Sequence, residues 1–448
     1  MFCKTVWNGL HILPDGYIRL CSIGQNTEPE LDMQRCRDQN GNLMHILTHS
    51  IQDIMNSDKH REVRLFNVNN PTKWSPHCDC CENREVIANH NRQHNNISRR
   101  VYLLGIDDDR VVSESNYQDN KIDEHGNINW MPSSLDIRFG NLCNQKCVMC
   151  GPVYSNQWYD EWFNYYNAKD KNTENNTLKQ IGVGKWSFSE DTKINVTKDL
   201  LTGKWINSLD QQWFENPAWW EKFEEMAPHL RHIYITGGEP MVTPAHDEML
   251  DRLIARGLAK NIWLEYDTNA SAINDKIVER WQHFSRVHIR ASMDAINQQY
   301  EIIRFGGKWD KFAKNIVRLK QIEKDSGGRV KLTTATSCFQ MLTMFSIQEN
   351  EEWCKSVGIG YHIRFLTAPS QHSTLSLDQD AKLQLIDHYK QLQGKLSKAE
   401  IIVNFLQNNL SKSDPAAIAE FYKFMDYLDS TRSTDWKRTF PAVHKLIG

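Results

Sequence analysis

Length, composition and charge place this chain among ordinary globular proteins. It has 448 residues, of which 40% are hydrophobic, 24% charged and 10% aromatic. At roughly 150 residues per domain, this length corresponds to about three domains. With 22 glycines and 13 prolines, the composition excludes a collagen-like or broadly disordered chain. The formal net charge of -3 provides no global field for a polyanion, so nucleic-acid binding is not indicated.

Two further features of the composition concern the compartment. No stretch approaches the ~18 consecutive apolar residues of a membrane span, and the start of the chain lacks the basic-then-apolar layout of a secretory signal. The sequence therefore predicts a cytoplasmic protein with no membrane partner. Most of the eleven cysteines occur in tight clusters. Clustered thiols in a reducing compartment are typical of metal or redox ligands.

Residues 1–100 are predicted to form a small Cys-rich α+β module. Residues 10–13 and 17–20 are strand-like and flank Pro14-Asp15-Gly16, a sequence typical of a hairpin turn. A helical stretch follows over residues 46–56, ahead of a Cys-rich loop. The more polar residues 101–134 are predicted to be a linker.

From residue 135 onward, strands alternate with helices. Apolar, β-rich runs predict strands at residues 135–139, 232–236, 261–266, 287–293, 330–336 and 361–366. Helical periodicity lies between them at residues 245–256, 271–284, 311–324 and 347–357. Six such βα repeats imply an α/β fold with a parallel sheet, either doubly wound or curled into a partial barrel, over residues 135–370. Residues 371–448 are predicted to be a helical C-terminal region.

The spacing between the first two strands is too long for one crossover, so residues 153–228 are predicted to be an insertion. Seven of the 15 tryptophans lie in it: Trp158, Trp162, Trp186, Trp205, Trp213, Trp219 and Trp220. They favour aromatic packing of an added subdomain, because tryptophan mostly serves burial. A lid that stacks on substrate is the alternative.

The motif with the clearest chemistry directly follows the first predicted strand. Cys143, Cys147 and Cys150 have the spacing C-x3-C-x2-C, at the strand end where α/β sheets and barrels place their active sites. Three thiolates can hold a cubic iron-sulfur cluster through three of its four irons. The fourth iron is then open to an external ligand, which favours catalysis over pure electron transfer. A structural zinc site or three unrelated core thiols are the alternatives.

The second predicted strand ends in Gly237, Gly238, Glu239 and Pro240. Two glycines at a strand end allow a ligand to approach the backbone closely, and the glutamate can accept hydrogen bonds from an ammonium group. Alone, this sequence is equally a tight turn. Because it follows the cysteine motif by one βα unit, the sequence becomes a specific indication of a ligand-binding turn.

These paired motifs resemble those of the radical S-adenosylmethionine (SAM) superfamily, over roughly residues 135–366. The resemblance implies a partial (βα)6 TIM-like barrel in which the three cysteines hold a catalytic 4Fe-4S cluster. The methionyl amine and carboxylate of SAM would chelate the open iron, with Gly237, Gly238 and Glu239 near the amine. One electron would split SAM to methionine and a 5'-deoxyadenosyl radical, which removes a hydrogen atom from the substrate. An external electron donor such as flavodoxin or ferredoxin is implied as a partner.

The resemblance also implies cofactor contacts at later strand ends. They are Asn269, in a Thr-Asn-Gly-like turn where Ala270 replaces the glycine, Ser292 and Asp294, in a Ser-x-Asp strand end near the SAM ribose, and Arg304, for the SAM carboxylate. Ordinary strand-end polarity is the alternative for each.

Met149 departs from the family pattern. The residue before the third cysteine is usually aromatic and packs near adenine. A polarizable thioether can fill that role, so Met149 is also expected at the cofactor.

A second set of cysteines precedes the barrel. Cys3, Cys21, Cys78 and Cys81 supply four thiolates, enough for a tetrahedral zinc ion or a fully ligated 4Fe-4S cluster. The pattern C-x12-G-x4-C followed by C-x2-C resembles the twitch half of the SPASM domain, over about residues 2–85, and implies an auxiliary iron-sulfur cluster. That module usually follows the barrel, whereas here it precedes it.

The other cysteines are expected to be bystanders. Cys36 and Cys80 are spare thiols, either of which is an alternative ligand at the N-terminal site. Cys338 and Cys354 fall on a strand end and a helix, and are interpreted as core residues.

The sequence therefore predicts an oxygen-sensitive radical SAM enzyme of the twitch type. Twitch and SPASM relatives often modify peptides or proteins, so a peptide or protein is the expected substrate. A nucleotide or other small metabolite is the second possibility. A non-catalytic iron-sulfur or zinc protein for electron transfer is the third, and Glu239 behind two glycines argues against it, because a carrier needs no amine-binding turn.

Overall fold

The computed structural model describes residues 3–21, 35–78, 122–167, 196–198, 205–207 and 212–448. The strands are β1 (Gly9–Ile12), β2 (Ile18–Arg19), β3 (Ser134–Arg138), β4 (Lys146–Cys147), β5 (Val196–Lys198), β6 (Trp205–Asn207), β7 (His232–Thr236), β8 (Trp263–Thr268), β9 (Arg286–Ser292), β10 (Arg304–Phe305), β11 (Val330–Phe339) and β12 (Gly360–Phe365). The helices are α1 (Lys4–Asn8), α2 (Ile51–Met55), α3 (Asp58–Asn69), α4 (Tyr159–Asn167), α5 (Pro217–Met226), α6 (Pro244–Ala255), α7 (Asp275–Trp281), α8 (Asn297–Ile303), α9 (Trp309–Asp325), α10 (Ile347–Ser356), α11 (Gln379–Gln391), α12 (Ala399–Asn408), α13 (Pro415–Arg432), α14 (Trp436–Thr439) and α15 (Pro441–Ile447).

One eight-stranded sheet organises the molecule, in the order β12-β11-β9-β8-β7-β3-β1-β2. Six of its strands, from β3 through β7, β8, β9 and β11 to β12, are neighbours in chain order and pair in parallel. Helical crossovers connect them, as expected of a partial (βα)6 barrel. The predicted α/β fold class is confirmed, including the helical C-terminal region.

The N-terminal hairpin extends this barrel sheet. Strand β1 pairs in parallel with β3, from Gly9 opposite Ser134 to Ile12 opposite Ile137, and β2 pairs antiparallel with β1. The turn between them contains Gly16 at φ +79, a conformation that glycine adopts without strain. Cys3 and Cys21, which flank the hairpin, are thus joined to the strand that leads into the cysteine loop.

Alternating side chains divide the parallel strands into an apolar and a polar face. Leu135 and Ile137 of β3, like Ile233 and Ile235 of β7, have no exposed surface. They belong to the same buried apolar core as residues of the surrounding helices. The intervening positions of β3 are an aspartate and an arginine. The interior face of the barrel is therefore polar, because side chains alternate between faces along a strand.

The tryptophans of the insertion whose side chains the structure describes are packing residues. Four of them are at most 2% exposed: Trp158, Trp162, Trp213 and Trp219. The first two contact Phe424 of α13, at ring-centroid distances of 5.8 and 6.2 Å. The other two contact Phe139, at 6.0 and 6.3 Å. Trp186 lies outside the described residues.

Several predicted elements differ from the observed ones. The helix predicted over 46–56 begins only at Ile51, because the Ser50 side chain caps it. The helix predicted over 271–284 is limited to Asp275–Trp281, because the Asn274 side chain accepts a hydrogen bond from the Ile277 amide and starts the helix there. Helix α3 and the β4–β10 pair were not predicted from the sequence. None of the helices in the described part of the chain combines the length and apolar character that a bilayer crossing requires.

Candidate functional site

The cysteine loop is fixed by its own polar side chains. The Asn141 side chain donates a hydrogen bond to the Pro152 carbonyl (2.6 Å), and the Ser155 hydroxyl donates to the Gln145 carbonyl (2.7 Å). The Cys143 amide donates to the Asn156 side chain (3.2 Å). These hydrogen bonds between residues close in sequence hold the loop backbone in place without help from a cofactor.

The second half of the loop forms a two-stranded ribbon. Strand β4 pairs antiparallel with β10, so that Cys147 lies opposite Arg304. The Val148 amide extends the ribbon by donating to the Ile303 carbonyl, at 2.8 Å. The middle cysteine is therefore held by residues more than 150 positions later in the chain.

The three thiols of the loop interact with one another. A hydrogen bond with Cys150 and the nearby Arg304 lower the pKa of Cys147, although burial opposes them. The same hydrogen bond, together with burial, raises the pKa of Cys150. Burial, with Cys147 and Glu239 nearby, raises the pKa of Cys143 to about 12. The thiolate form, which is the one that binds metal, is therefore favoured first at Cys147.

The side-chain chemistry of the loop fits an iron-sulfur cluster. Cys143 and Cys150 are half-buried, whereas Cys147 is 7% exposed. A cubic 4Fe-4S cluster takes thiolate ligands, each through a different iron, and three thiols on one short loop supply three of them. The donor set fits that group.

The Gly237-Gly238 turn packs against the beginning of the cysteine loop. A Cβ atom on Gly238 would lie 2.2 Å from the Leu142 carbonyl oxygen, and Gly237 has φ +122. The Glu239 amide donates to the same carbonyl at 2.8 Å. The missing side chain of Gly238 thus allows the backbone of the turn to approach the backbone of the cysteine loop. It was predicted to allow a ligand to approach the turn. The next residue, Pro240, is buried at the start of a short 3-10 helix.

Glu239 is an internal anchor. Its side chain is buried, and one carboxylate oxygen accepts hydrogen bonds from the Thr268 hydroxyl (2.6 Å) and the Met241 amide (3.3 Å). The other oxygen accepts from the Asn269 amide at 2.7 Å. Burial raises the pKa of Glu239 although these bonds oppose the shift. The carboxylate ties the end of β7 to the end of β8, and its contact with the SAM amine stays a prediction.

The end of β8 is also tied to the cysteine loop. The Asn269 side chain donates to the side-chain oxygen of Asn144 at 2.8 Å, and the Asn144 amide group donates to the Ser271 hydroxyl at 2.7 Å. Ala270, between them, has φ +54. This left-handed conformation suits glycine better than alanine, which gives a physical reason for the glycine of the related Thr-Asn-Gly turn.

Asp294 and Arg304 form a buried ion pair beside Cys147. The Asp294 carboxylate lies 2.6 Å from Arg304, whose Nη1 donates to the Cys147 sulfur at 3.7 Å. Burial would lower the pKa of Arg304, but Asp294 raises it. The other Asp294 oxygen accepts from the Cys338 amide at 2.7 Å. Asp294 thus orients Arg304 toward the loop, and the buried charge is paired as required.

The remaining predicted cofactor residues lie in the same region. Met149 is buried within the cysteine loop, 8% exposed, and Ser292 is half-buried at the last position of β9. Neither has a geometry that identifies a ligand. Their contacts with SAM stay predictions.

Sequence reasoning missed a network of charges inside the barrel. Asp267 accepts hydrogen bonds from Tyr234 and Arg290, both at 2.5 Å, and Arg364 approaches it at 3.3 Å. Burial opposes the shift, but these arginines lower the pKa of Asp267. Arg290 also binds Glu265. The signal was present as charged residues at alternate positions of otherwise apolar strands, which marks a polar inner face.

Three of the four predicted auxiliary ligands lie in the described residues. Cys3 precedes α1, Cys21 follows β2 and Cys78 ends a 3-10 turn, and all three are half-buried. Cys80 and Cys81 lie outside the described residues.

Among the described cysteines, the two with fully buried side chains behave as core residues. The Cys36 sulfur lies 3.7 Å from Nδ1 of the buried His60, and burial raises its pKa to about 12. Cys354 has no exposed surface in α10, and burial also raises its pKa to about 12. Both thiols are therefore kept neutral.

Two regions of the chain match models of known families. The model for the radical SAM superfamily matches residues 210–335, and the model for SPASM, an iron-sulfur cluster-binding domain, matches residues 3–82. The chain therefore contains one region similar to the radical SAM superfamily and an N-terminal region similar to SPASM. These matches support the cofactors predicted from the sequence, because radical SAM domains use a 4Fe-4S cluster with SAM and SPASM domains bind auxiliary iron-sulfur clusters. The first match begins after the cysteine loop, so it does not assign the ligands.

Several solved structures show a distant likeness. They include native anSMEcpe with bound AdoMet and Kp18Cys peptide, at 14% identity, 62% of each chain and a TM-score of 0.32. Streptococcus suis SuiB bound to S-adenosylmethionine has 14% identity over 79% of this chain and 68% of that one, with a TM-score of 0.34. The chain spans 62% of the length of the first of these relatives. No curated protein matches the chain.

Proposed function

We propose that this enzyme reductively cleaves SAM at a 4Fe-4S cluster held by Cys143, Cys147 and Cys150, and then abstracts a hydrogen atom from a peptide or protein. A cluster held there, with one iron open to SAM and reduced by an external donor, would supply the electron for cleavage of SAM to methionine and a 5'-deoxyadenosyl radical. The observation that carries the proposal is the cysteine loop itself. It lies at the carboxyl end of β3, in contact with the turn that follows β7.

The polar groups around the loop support a site for the amino-acid part of SAM. Arg304 uses one nitrogen for Cys147 and another for Asp294. Its third nitrogen, Nε, is buried and has no hydrogen-bond partner among the described residues. A buried donor without a partner is costly, and a carboxylate would satisfy it. We assign Arg304 to the SAM carboxylate on this basis.

Glu239 and Asn269 would position the ends of β7 and β8 relative to the cysteine loop. Glu239 joins the ends of β7 and β8, and Asn269 connects the end of β8 to Asn144 in the cysteine loop. These hydrogen bonds fix the turn relative to the cysteine loop. Such prior fixation reduces the ordering cost when a cofactor binds.

A peptide or protein substrate is supported by the SPASM match at residues 3–82. Enzymes that combine this domain with a radical SAM barrel often modify peptides. The polar interior of the barrel, with Arg290, Asp267 and Arg364, offers hydrogen-bonding groups for a peptide backbone or side chain. A small metabolite is the alternative outcome of a substrate screen.

Cleavage of SAM tests the proposal. Protein purified without oxygen, reconstituted with iron and sulfide and reduced with dithionite is expected to form 5'-deoxyadenosine. Cys147→Ala should abolish this product while the N-terminal site keeps its iron. Cys354→Ala, which changes a buried cysteine on α10, is the matched control and should cleave SAM as the parent does.

Two results would contradict the proposal. Cleavage of SAM by Cys147→Ala at the parent rate would show that the catalytic ligands are elsewhere. A parent protein with its full iron content that forms no 5'-deoxyadenosine would instead be an electron carrier.

A further inference from the structure

The last residue of α13, Arg432, reaches back to the cysteine loop. Its side chain is 2% exposed and donates two hydrogen bonds to the carboxylate of Glu161 in α4, at 2.7 and 3.2 Å. The same carboxylate accepts a hydrogen bond from Lys146 at 2.9 Å. Lys146 directly precedes Cys147. Glu161 therefore connects the C-terminal helix to the residue next to a proposed cluster ligand.

Aromatic contacts fix the guanidinium of Arg432. It lies 4.7 Å from the ring centroid of Trp158 and 4.4 Å from that of Phe305. Phe305 belongs to β10 and pairs with Lys146 of β4. Arg432 thus touches the ribbon that presents both Cys147 and Arg304. Stacking of this kind stabilises a desolvated cation and holds the guanidinium plane in one orientation.

Two cations share one carboxylate beside Cys147. Lys146 and Arg432 both pair with Glu161, whereas Arg304 has Asp294 as a partner of its own. The group formed by Lys146, Arg432 and Glu161 therefore carries one more positive than negative charge.

Reduction of a bound cluster adds one negative charge. A buried cation nearby makes that addition easier, and the effect is strong because few water molecules screen it. Cation removal should therefore disfavour the reduced state, and removal of the anion that offsets the cation should favour it.

We propose that Arg432 is a positioning residue of the cluster site, which holds the β4–β10 ribbon and supplies positive charge that favours cluster reduction. The inference rests on the proposed function, because it requires a cluster on Cys147. It makes α13 part of the site, although this helix lies outside both family matches, at residues 3–82 and 210–335. The C-terminal region would then control how easily the enzyme accepts its first electron.

A redox titration of the full-length, reconstituted protein without SAM tests this proposal. The ratio of reduced to oxidised barrel cluster is measured by electron paramagnetic resonance (EPR) at fixed potentials. Arg432→Gln should lower this ratio about tenfold, the order of magnitude expected for the loss of one nearby charge at an effective dielectric constant of ~20. Arg432→Lys keeps the charge and should recover most of the ratio. Arg438→Gln, which removes an exposed arginine from the same C-terminal segment, is the matched control and should change nothing.

Glu161→Gln provides the opposite perturbation. It removes the anion between Lys146 and Arg432, so it should raise the ratio of reduced to oxidised cluster. A merely structural role for Arg432 predicts that both variants loosen the loop and shift the ratio in the same direction. Opposite shifts support the proposal.

Two outcomes would overturn it. One is an unchanged ratio in Arg432→Gln with normal iron content, and the other is a shift of Glu161→Gln in the same direction as Arg432→Gln. Either result would leave the proposed function intact if the parent still cleaves SAM. A parent that forms no cluster at the barrel site would instead refute the proposed function itself.

Discussion

Glu239→Gln tests whether the carboxylate acts as an anchor between two strand ends. In the structure, one of its oxygens accepts from Thr268 and Met241, and the other accepts from the Asn269 amide. Glutamine replaces one of these oxygens with an NH2 group. At least one buried donor then faces another donor and loses its hydrogen bond.

The expected loss follows from the bonds involved. A hydrogen bond to a charged group contributes roughly 1.5–3 kcal/mol, and a buried donor left without a partner costs about 1–3 kcal/mol. Burial, which raises the pKa of Glu239, works in the opposite direction, because a neutral side chain avoids the cost of burying a charge. The net decrease in the free energy of unfolding should be about 2 kcal/mol.

Urea unfolding of the full-length protein, without SAM and followed by tryptophan fluorescence, measures this decrease. Glu248→Gln is the control, since the Glu248 side chain is 47% exposed in a surface ion pair with Arg252. It should lose less than about 0.5 kcal/mol. Equal stability of Glu239→Gln and the parent would refute the anchoring role. It would leave Glu239 available for the SAM amine alone.

Three other predictions concern separate parts of the molecule. Gly238→Ala should lower the free energy of unfolding by about 3 kcal/mol and reduce iron at the barrel site, because its Cβ would lie 2.2 Å from a backbone oxygen. The control Gly257→Ala, at φ +67 with no atom near the added Cβ, should lower the free energy of unfolding by only about 1 kcal/mol. Equal losses in the two variants would contradict the steric argument. Burial lowers the pKa of His372 to about 3, so stability should fall as the pH drops from 6.5 toward that value, and His372→Leu should flatten this dependence in urea titrations between pH 7 and 4. An unchanged slope would show that other groups cause it. Replacement of Cys78 and Cys81 together should lower the iron content by about one cluster's worth, whereas unchanged iron with lost zinc would indicate a structural zinc module.

Local sequence patterns were sufficient for the frame of the barrel. The predicted strand at residues 232–236 coincides with β7, and the other five predicted barrel strands lie within three residues of the observed ends. In these strands the fully buried apolar residues occupy alternate positions, and this alternation is visible in the sequence. The cysteine spacing and the Gly-Gly-Glu sequence were also visible, because each is contained in one short segment.

Helix α3 was missed because its buried side is polar. His60, Arg64 and Asn67 are all buried, and Arg64 donates to the Val6 and Met55 carbonyls. A helix that buries charged and amide groups gives no apolar periodicity. Only the tertiary structure shows that distant backbone carbonyls accept the hydrogen bonds of the buried Arg64.

Contacts between distant residues explain the other omissions. Glu239 binds residues 29 and 30 positions later, and Arg432 binds Glu161 across 271 positions. One sequence without such pairings contains no signal for either contact. The predicted role of Glu239 as an amine acceptor came from its side-chain chemistry, whereas its anchoring role came from its neighbours in space.

The EPR spectrum of the reduced protein, recorded with and without SAM, tests most directly whether Cys143, Cys147 and Cys150 hold a cluster with an open iron. In the parent, the addition of SAM should change the signal of one cluster, because a new ligand then binds its unique iron. In the variant with all three cysteines replaced by alanine, the SAM-responsive signal should be absent and the N-terminal signal should persist. A parent spectrum that SAM leaves unchanged, or a triple variant that still responds to SAM, would contradict this assignment.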